Sequence, residues 1–258
     1  MVKRLLRSRA ASMVTCVACV VMAIHGAHAQ QAAGPDTMPI TLHATAHFTI
    51  EYSDVPEATV ARLAIGLERE RTRIVSDFGG SGPAMVTIRI HPSYASLARA
   101  RTQAGIEHQE PGFTVGTSTI HFLSPLVLRW SFIEDAISYL AHELTHCVIR
   151  VRNPRLDGNP RWLWESLAVY EAGYKKDPKT LSYLNQLRPP SFAELSSPGD
   201  QRAFGVGYTI SEFMVSRWGR EALVKLVDAD GQVERAFAIS QEQFEREWFD
   251  WVRRTYSL

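Results

Sequence analysis

An α+β fold is what this sequence predicts, and three observations carry it. Residues 43–123 mix strand-like alternation with helical spacing, whereas from residue 131 onward apolar residues recur almost only at helical intervals. No long linker separates the two halves, so they read as one domain with two lobes and a cleft between them. With 258 residues, 45% of them hydrophobic and 21% charged, the chain can bury one sizeable core and is neither disordered nor a polytopic membrane protein.

The elements follow in order. Residues 1–29 have the layout of a secretory signal: Lys3, Arg4, Arg7 and Arg9, then an apolar run from Ala10 to Ile24, then Ala27-His28-Ala29 as a small-x-small site for cleavage before Gln30. The run is short of the ~20 apolar residues of a spanning helix, which favours export to the periplasm or beyond over a retained anchor. Without this segment the balance is 24 basic against 27 acidic residues, a net −3 that argues against a nucleic-acid partner. Cys16 and Cys19 leave with it, so Cys147 has no partner for an internal disulfide.

Residues 30–40 are a loose leader. His43 to Tyr52 alternates as a strand, and Pro56 to Phe78 carries Val60, Leu63, Ile65, Leu67 and Ile74 as a helix. Met85 to Ile90 is a second strand, Ser93 caps a short helix reaching about Ala104, and Phe113–Val115 with Thr119–Leu123 flank Gly116 as a hairpin. Ser131 and Glu134 have capping-box spacing ahead of the apolar spine Ile133, Ile137, Leu140, Leu144 and Cys147 or Val148, and Asn153-Pro154 stops that helix. Pro160 opens the next, to about Tyr174. Further helices are read at Phe204–Trp218, Arg220–Val227 and Ser240–Tyr256.

The helix from Ser131 contains His142-Glu143-Leu144-Thr145-His146. Histidines four residues apart are rotated by only about 40°, so both imidazoles reach one zinc ion with the intervening glutamate beside it. The pair points away from the Leu140–Leu144 spine, which core histidines would share. A hydrolytic zinc needs a third protein ligand and an open position. Glu165 is the candidate: it stands in Trp162-Leu163-Trp164-Glu165-Ser166-Leu167-Ala168-Val169-Tyr170, apolar on nearly all sides, where an unpaired carboxylate is costly and a cation removes the cost. The competing reading is a surface ion pair with Arg161.

His142 to His146, then 18 residues, then Glu165 resembles the gluzincin metallopeptidases, the clan of thermolysin and aminopeptidase N. Pro160 to Tyr170 is similar to the corresponding stretch of the clan's small peptidase MA-like branch, and Phe204 to Gly219 to the helix that follows it. The resemblance runs from about residue 45 to the end. It implies a zincin-like fold: an N-terminal sheet-and-helix lobe, then a helical lobe carrying the zinc helix and the glutamate helix, with the cleft between. The peptidase domain would span 41–258, with lobes of about 41–151 and 152–258.

The resemblance also implies one Zn2+ on His142, His146 and Glu165, Glu143 as general base, and a peptide or protein substrate. It makes Tyr208, 43 residues after Glu165, the candidate stabiliser of developing negative charge, with Tyr170, Tyr174 and Tyr183 as competitors. Ser166 replaces the branch's usual Gly, and Val169 replaces an Asp that thermolysin places four residues after its Glu ligand. No Gly-x-Met-Glu-Asn strand is present to hold a free amino terminus, which favours an endopeptidase.

Cys147 lies on the core side of its helix and reads as packing. His43 and His47 share a strand face without an acidic or cysteine partner, while His91, His108 and His121 are single residues, His121 lying in the hairpin expected to edge the cleft. The alternative to an enzyme is a zinc-containing envelope binding or assembly protein, which would have no use for Glu143. A hydrolase of non-peptide amides would use the same residues.

Overall fold

The structure is a computed structural model and describes residues 39–258 apart from His108 and Ser131. The segment expected to be a signal peptide, its expected cleavage site and most of the expected leader lie outside the described residues, as does Ser131 of the expected capping box.

The segment read as one strand, His43–Tyr52, folds as two: β1 (Thr41–Ala44) pairs antiparallel with β2 (Phe48–Tyr52). Glu68, 21 residues away, makes the turn. Its carboxylate accepts hydrogen bonds from Thr45 Oγ1 at 2.6 Å and the His47 amide at 2.9 Å, and lies 2.7 Å from His47 Nδ1. His47 thus has the acidic partner that its sequence neighbours do not supply.

Glu68 belongs to α1 (Glu57–Asp77), which buries Val60, Leu63, Ala64, Leu67 and Ile74. Ile65, read as part of that stripe, is 74% exposed. Gly66 faces inward instead, where a Cβ would lie 2.4 Å from Ile137 Cδ1; the missing side chain lets the zinc-motif helix approach.

β3 (Val86–His91) leads to α2 (Tyr94–Gln103), capped by Ser93, whose hydroxyl accepts from the Ser96 amide. β4 (Gly112–Val115) and β5 (Thr119–Leu123) form the expected hairpin. The sheet order is β1-β2-β3-β5-β4, with β2, β3 and β5 parallel and both edge strands antiparallel to their neighbours. Phe48, Ile50, Val86, Ile88, Ile120 and Phe122 fill the main core, while Phe113 and Leu123 meet Leu97 of α2 in a smaller cluster.

α3 (Ile133–Arg152) carries the histidine motif, with Phe132 at its N-cap and Asn153 at its C-cap. It packs against α1, β4 and β5 and against α4 (Arg161–Glu171). The remaining helices are α5 (Ser182–Asn185), α6 (Phe192–Leu195), α7 (Arg202–Trp218), α8 (Glu221–Asp228), α9 (Val233–Phe237) and α10 (Gln241–Tyr256). α7 lies close along α4: a Cβ on Gly207 would sit 3.0 Å from Ser166 Cα, and Ser211 Oγ donates to the Ser166 carbonyl at 3.0 Å. Ser166 Oγ donates to the Trp162 carbonyl of its own helix, so its hydroxyl is accommodated where the resembling family has Gly.

One core runs from Phe48 to Val252 across both proposed lobes. Among the described residues, no helix is long and apolar enough to cross a membrane.

Candidate metal centre

Nearly every residue of α3 from Ala136 to Ile149 is buried, because β4, β5, α1, α4 and α8 all pack against it. His142 and His146, turned from the apolar spine, are therefore not solvent-facing: each is 6% exposed. Their Nε2 atoms are 3.2 Å apart. Glu165, from the second turn of α4, brings Oε2 to 3.3 Å from His142 Nε2 and 3.8 Å from His146 Nε2.

Ligand atoms about 2.0–2.1 Å from a tetrahedral ion lie about 3.3 Å from one another; two sides of this triangle have that length, and the third, His146 to Glu165, is longer at 3.8 Å. Glu165 Oε2 is buried and has no hydrogen-bond partner, an expensive condition for a carboxylate that a cation would relieve. Two imidazoles and one carboxylate are the donor set of a hydrolytic zinc, and these residues fit such an ion.

The charges agree. Burial alone would raise the Glu165 pKa, but the two histidines and Arg161 outweigh it and hold the carboxyl down at about 2. Burial likewise opposes a proton on His142, and Glu165 more than offsets it. Arg161 is not a surface partner: its Nε lies 3.9 Å from Glu165 Oε1, and its Nη1 donates to the Leu195 and Asp200 carbonyls at 3.2 and 2.9 Å.

Aromatic faces flank both imidazoles. Trp164 stacks on His146, and Arg150 lies over the Trp164 ring at 5.1 Å; Phe204 and Tyr139 flank His142. Cys147 is wholly buried, with its thiol pushed up to about 12 by its apolar surroundings, and is packing as the sequence indicates.

Glu143 is 5% exposed, and burial pushes its pKa up to about 7 despite the opposing effects of His142 and a hydrogen bond from Thr114. Thr114, on edge strand β4, brings Oγ1 to 2.8 Å from Glu143 Oε2 and 3.2 Å from the Glu143 carbonyl. Sequence reasoning missed Thr114 and the stacking role of Trp164. The available signal for Thr114 was period two: in Phe113-Thr114-Val115 it faces away from Phe113, a hydroxyl on the helix-covered side.

Tyr208 packs its ring on Tyr170 at 5.1 Å and lies 5.2 Å from Lys175 Nζ. It lines a cavity of about 310 Å3 with Glu70, Arg73, Glu171 and Arg220. Tyr183 packs its hydroxyl against Gly205. Tyr174 is placed differently: its hydroxyl is buried with no hydrogen-bond partner, and burial together with the charges of Asp135 and Glu143 raises its pKa. His121 points to the other face of the sheet, stacked on Phe113 with Nδ1 2.9 Å from His91 Nε2, and does not edge the Glu143 side.

No protein-family model matches the chain, and no curated protein matches it. Among solved structures, the chain is similar to a mutant of the M1 zinc metallopeptidase from Deinococcus radiodurans, at 14% identity and a TM-score of 0.48. The match covers 82% of this chain and 50% of that one, so the chain spans about half that protein's length. The reading of the site rests on its own geometry.

Proposed function

We propose that the chain is an exported zinc-dependent metallopeptidase, an endopeptidase in which His142, His146 and Glu165 hold one Zn2+ and Glu143 is the general base. The observation that carries this reading is the convergence of Glu165 Oε2 on the Nε2 atoms of His142 and His146, with Glu143 next to His142 in the motif. When bound, zinc supplies a Lewis acid that polarises a carbonyl and acidifies a water molecule.

The protein's own groups do the rest. Glu143 takes a proton from the attacking water as the oxygen bonds to the peptide carbon, and returns it to the amine as the carbon–nitrogen bond breaks. Tyr174 supports this better than Tyr208, since its buried hydroxyl lacks a partner and feels the Glu143 charge; we assign it as donor to the developing oxyanion. The endopeptidase assignment rests on β4 reading Gly112-Phe113-Thr114-Val115, without a carboxylate for a free amino terminus. Export rests on the signal-like residues 1–29.

The test is cleavage of a mixed peptide library by the zinc-loaded protein, read by mass spectrometry beside Glu143→Gln. Internal cleavages are expected from the wild type, with the variant slower by about 10² to 10⁴ at unchanged zinc content. A zinc-loaded wild type that cleaves nothing favours a non-catalytic binding protein.

A further inference from the structure

The geometry points to Thr114 as the positioning residue of the general base: a hydroxyl carried by the edge strand that holds the Glu143 carboxylate in its working orientation. The inference rests on Glu143 being the base, but its evidence is separate.

A glutamate side chain has three rotatable bonds, and its position on α3 constrains only the first of them closely. Glu143 is nevertheless anchored from outside its helix. Thr114 Oγ1 contacts both Glu143 Oε2 at 2.8 Å and the Glu143 backbone carbonyl at 3.2 Å, so one hydroxyl registers the carboxylate against its own main chain.

The hydroxyl is itself well fixed. Thr114 is β-branched and therefore stiff about its first side-chain torsion. Its strand is tied to β5 through the Thr114–Ile120 pair, and Ile120 is fully buried in the main core. Two residues back along β4, on the same face, Gly112 leaves no room for a side chain: a Cβ there would meet Tyr139 Cε1 at 2.8 Å. The strand thus lies tight against α3 where Thr114 reaches Glu143.

Misplacing a reacting group by about 1 Å can cost about 10²-fold in rate, so the hydroxyl is worth far more to turnover than one hydrogen bond is to stability. The bond should leave substrate affinity and metal affinity nearly alone, because Thr114 touches neither His142, His146 nor Glu165 in any hydrogen bond of the described residues.

The substitutions Thr114→Val and Thr114→Ser separate shape from hydroxyl. Val keeps the branched shape and loses the donor; Ser keeps the donor and loses the methyl. The expected result is a fall in kcat of about 10- to 100-fold for Thr114→Val, with KM within about twofold and zinc affinity unchanged, and recovery to within about threefold of wild type for Thr114→Ser. Crystal structures of both variants give a readout independent of turnover: the Glu143 carboxylate should turn away from its wild-type position in Thr114→Val and keep it in Thr114→Ser.

An unmoved Glu143 carboxylate in Thr114→Val overturns the inference whether or not the protein proves to be a peptidase. So does an active wild type whose kcat survives the Val substitution. If Thr114→Ser were as impaired as Thr114→Val, the methyl and not the hydroxyl would matter, which also contradicts it. Absence of hydrolysis by wild type, with the carboxylate moving as expected, would instead count against the peptidase reading alone.

Discussion

Trp164 lies face to face with His146, the ring centroids 4.6 Å apart and the planes within 5° of parallel. The residue just before Glu165 thus braces the His146 imidazole, and Arg150 covers the indole. Stacking of this kind is worth about 0.5–1.5 kcal/mol beyond area burial. Trp164→Leu should therefore weaken zinc binding by about 2- to 10-fold in competition with a chromophoric chelator, while Trp164→Phe retains most of the affinity. Equal affinity in the Leu variant would mean that the stack does not orient the ligand.

Glu165→Gln keeps the size of the side chain and removes its charge. Loss of one of three protein ligands should exceed the 10- to 100-fold effect usual for residues behind the ligands, so zinc affinity should fall by more than about 100-fold. The same titration checks it. Unchanged affinity would return Glu165 to an ion pair with Arg161.

His121 predicts an acid-sensitive term in stability. Burial, followed by the positive charges of His91 and Arg89, lowers its pKa to about 4, against about 6.5 when unfolded. The unfolded chain therefore binds a proton that the folded chain refuses as pH falls from about 6.5 to 4, and stability declines across that window. Urea denaturation at several pH values should show a flatter decline for His121→Phe than for wild type. Parallel slopes would show that His121 titrates normally in the fold.

Glu171 is buried at the end of α4, paired with Arg73 of α1, with one carboxylate oxygen lacking a hydrogen bond. The Arg73 guanidinium, 38% exposed, also pairs with Glu70 at 2.9 Å and Asp77 at 3.5 Å, so removing Glu171 leaves it partnered and costs about 1.5–3 kcal/mol, the worth of hydrogen bonds to a charged group. Glu171→Ala should lose that much in chemical denaturation. A loss well above about 3 kcal/mol would mean that Glu70 and Asp77 do not hold the guanidinium once Glu171 is gone.

What the sequence made legible was local. Ser93 and Ser240 cap the helices they precede, Asn153-Pro154 ends α3, and the alternation across Gly116 gives the hairpin, because each signal acts within a few residues. The His142–His146–Glu165 grouping was legible because two imidazoles share one helix face and Glu165 interrupts the largely apolar stretch of α4 from Trp162 to Val169.

Where a distant residue decides the structure, the pattern was silent. The turn between β1 and β2 depends on Glu68 from α1, and the inward side of that helix goes to Gly66 because Ile137 comes close. Thr114 acquires its role only when the edge strand meets α3. Tyr208 and Tyr174 have equal standing as letters; only packing sends one ring to Tyr170 and leaves the other hydroxyl buried near the Glu143 charge.

Zinc K-edge X-ray absorption of the purified, zinc-loaded protein tests the central claim most directly. The account predicts one equivalent of zinc with only nitrogen and oxygen neighbours at about 2.0–2.2 Å, two of them imidazoles, as His142, His146 and Glu165 with an open position require. A sulfur shell near 2.3 Å, which would draw in Cys147, or failure to retain a stoichiometric ion would contradict it.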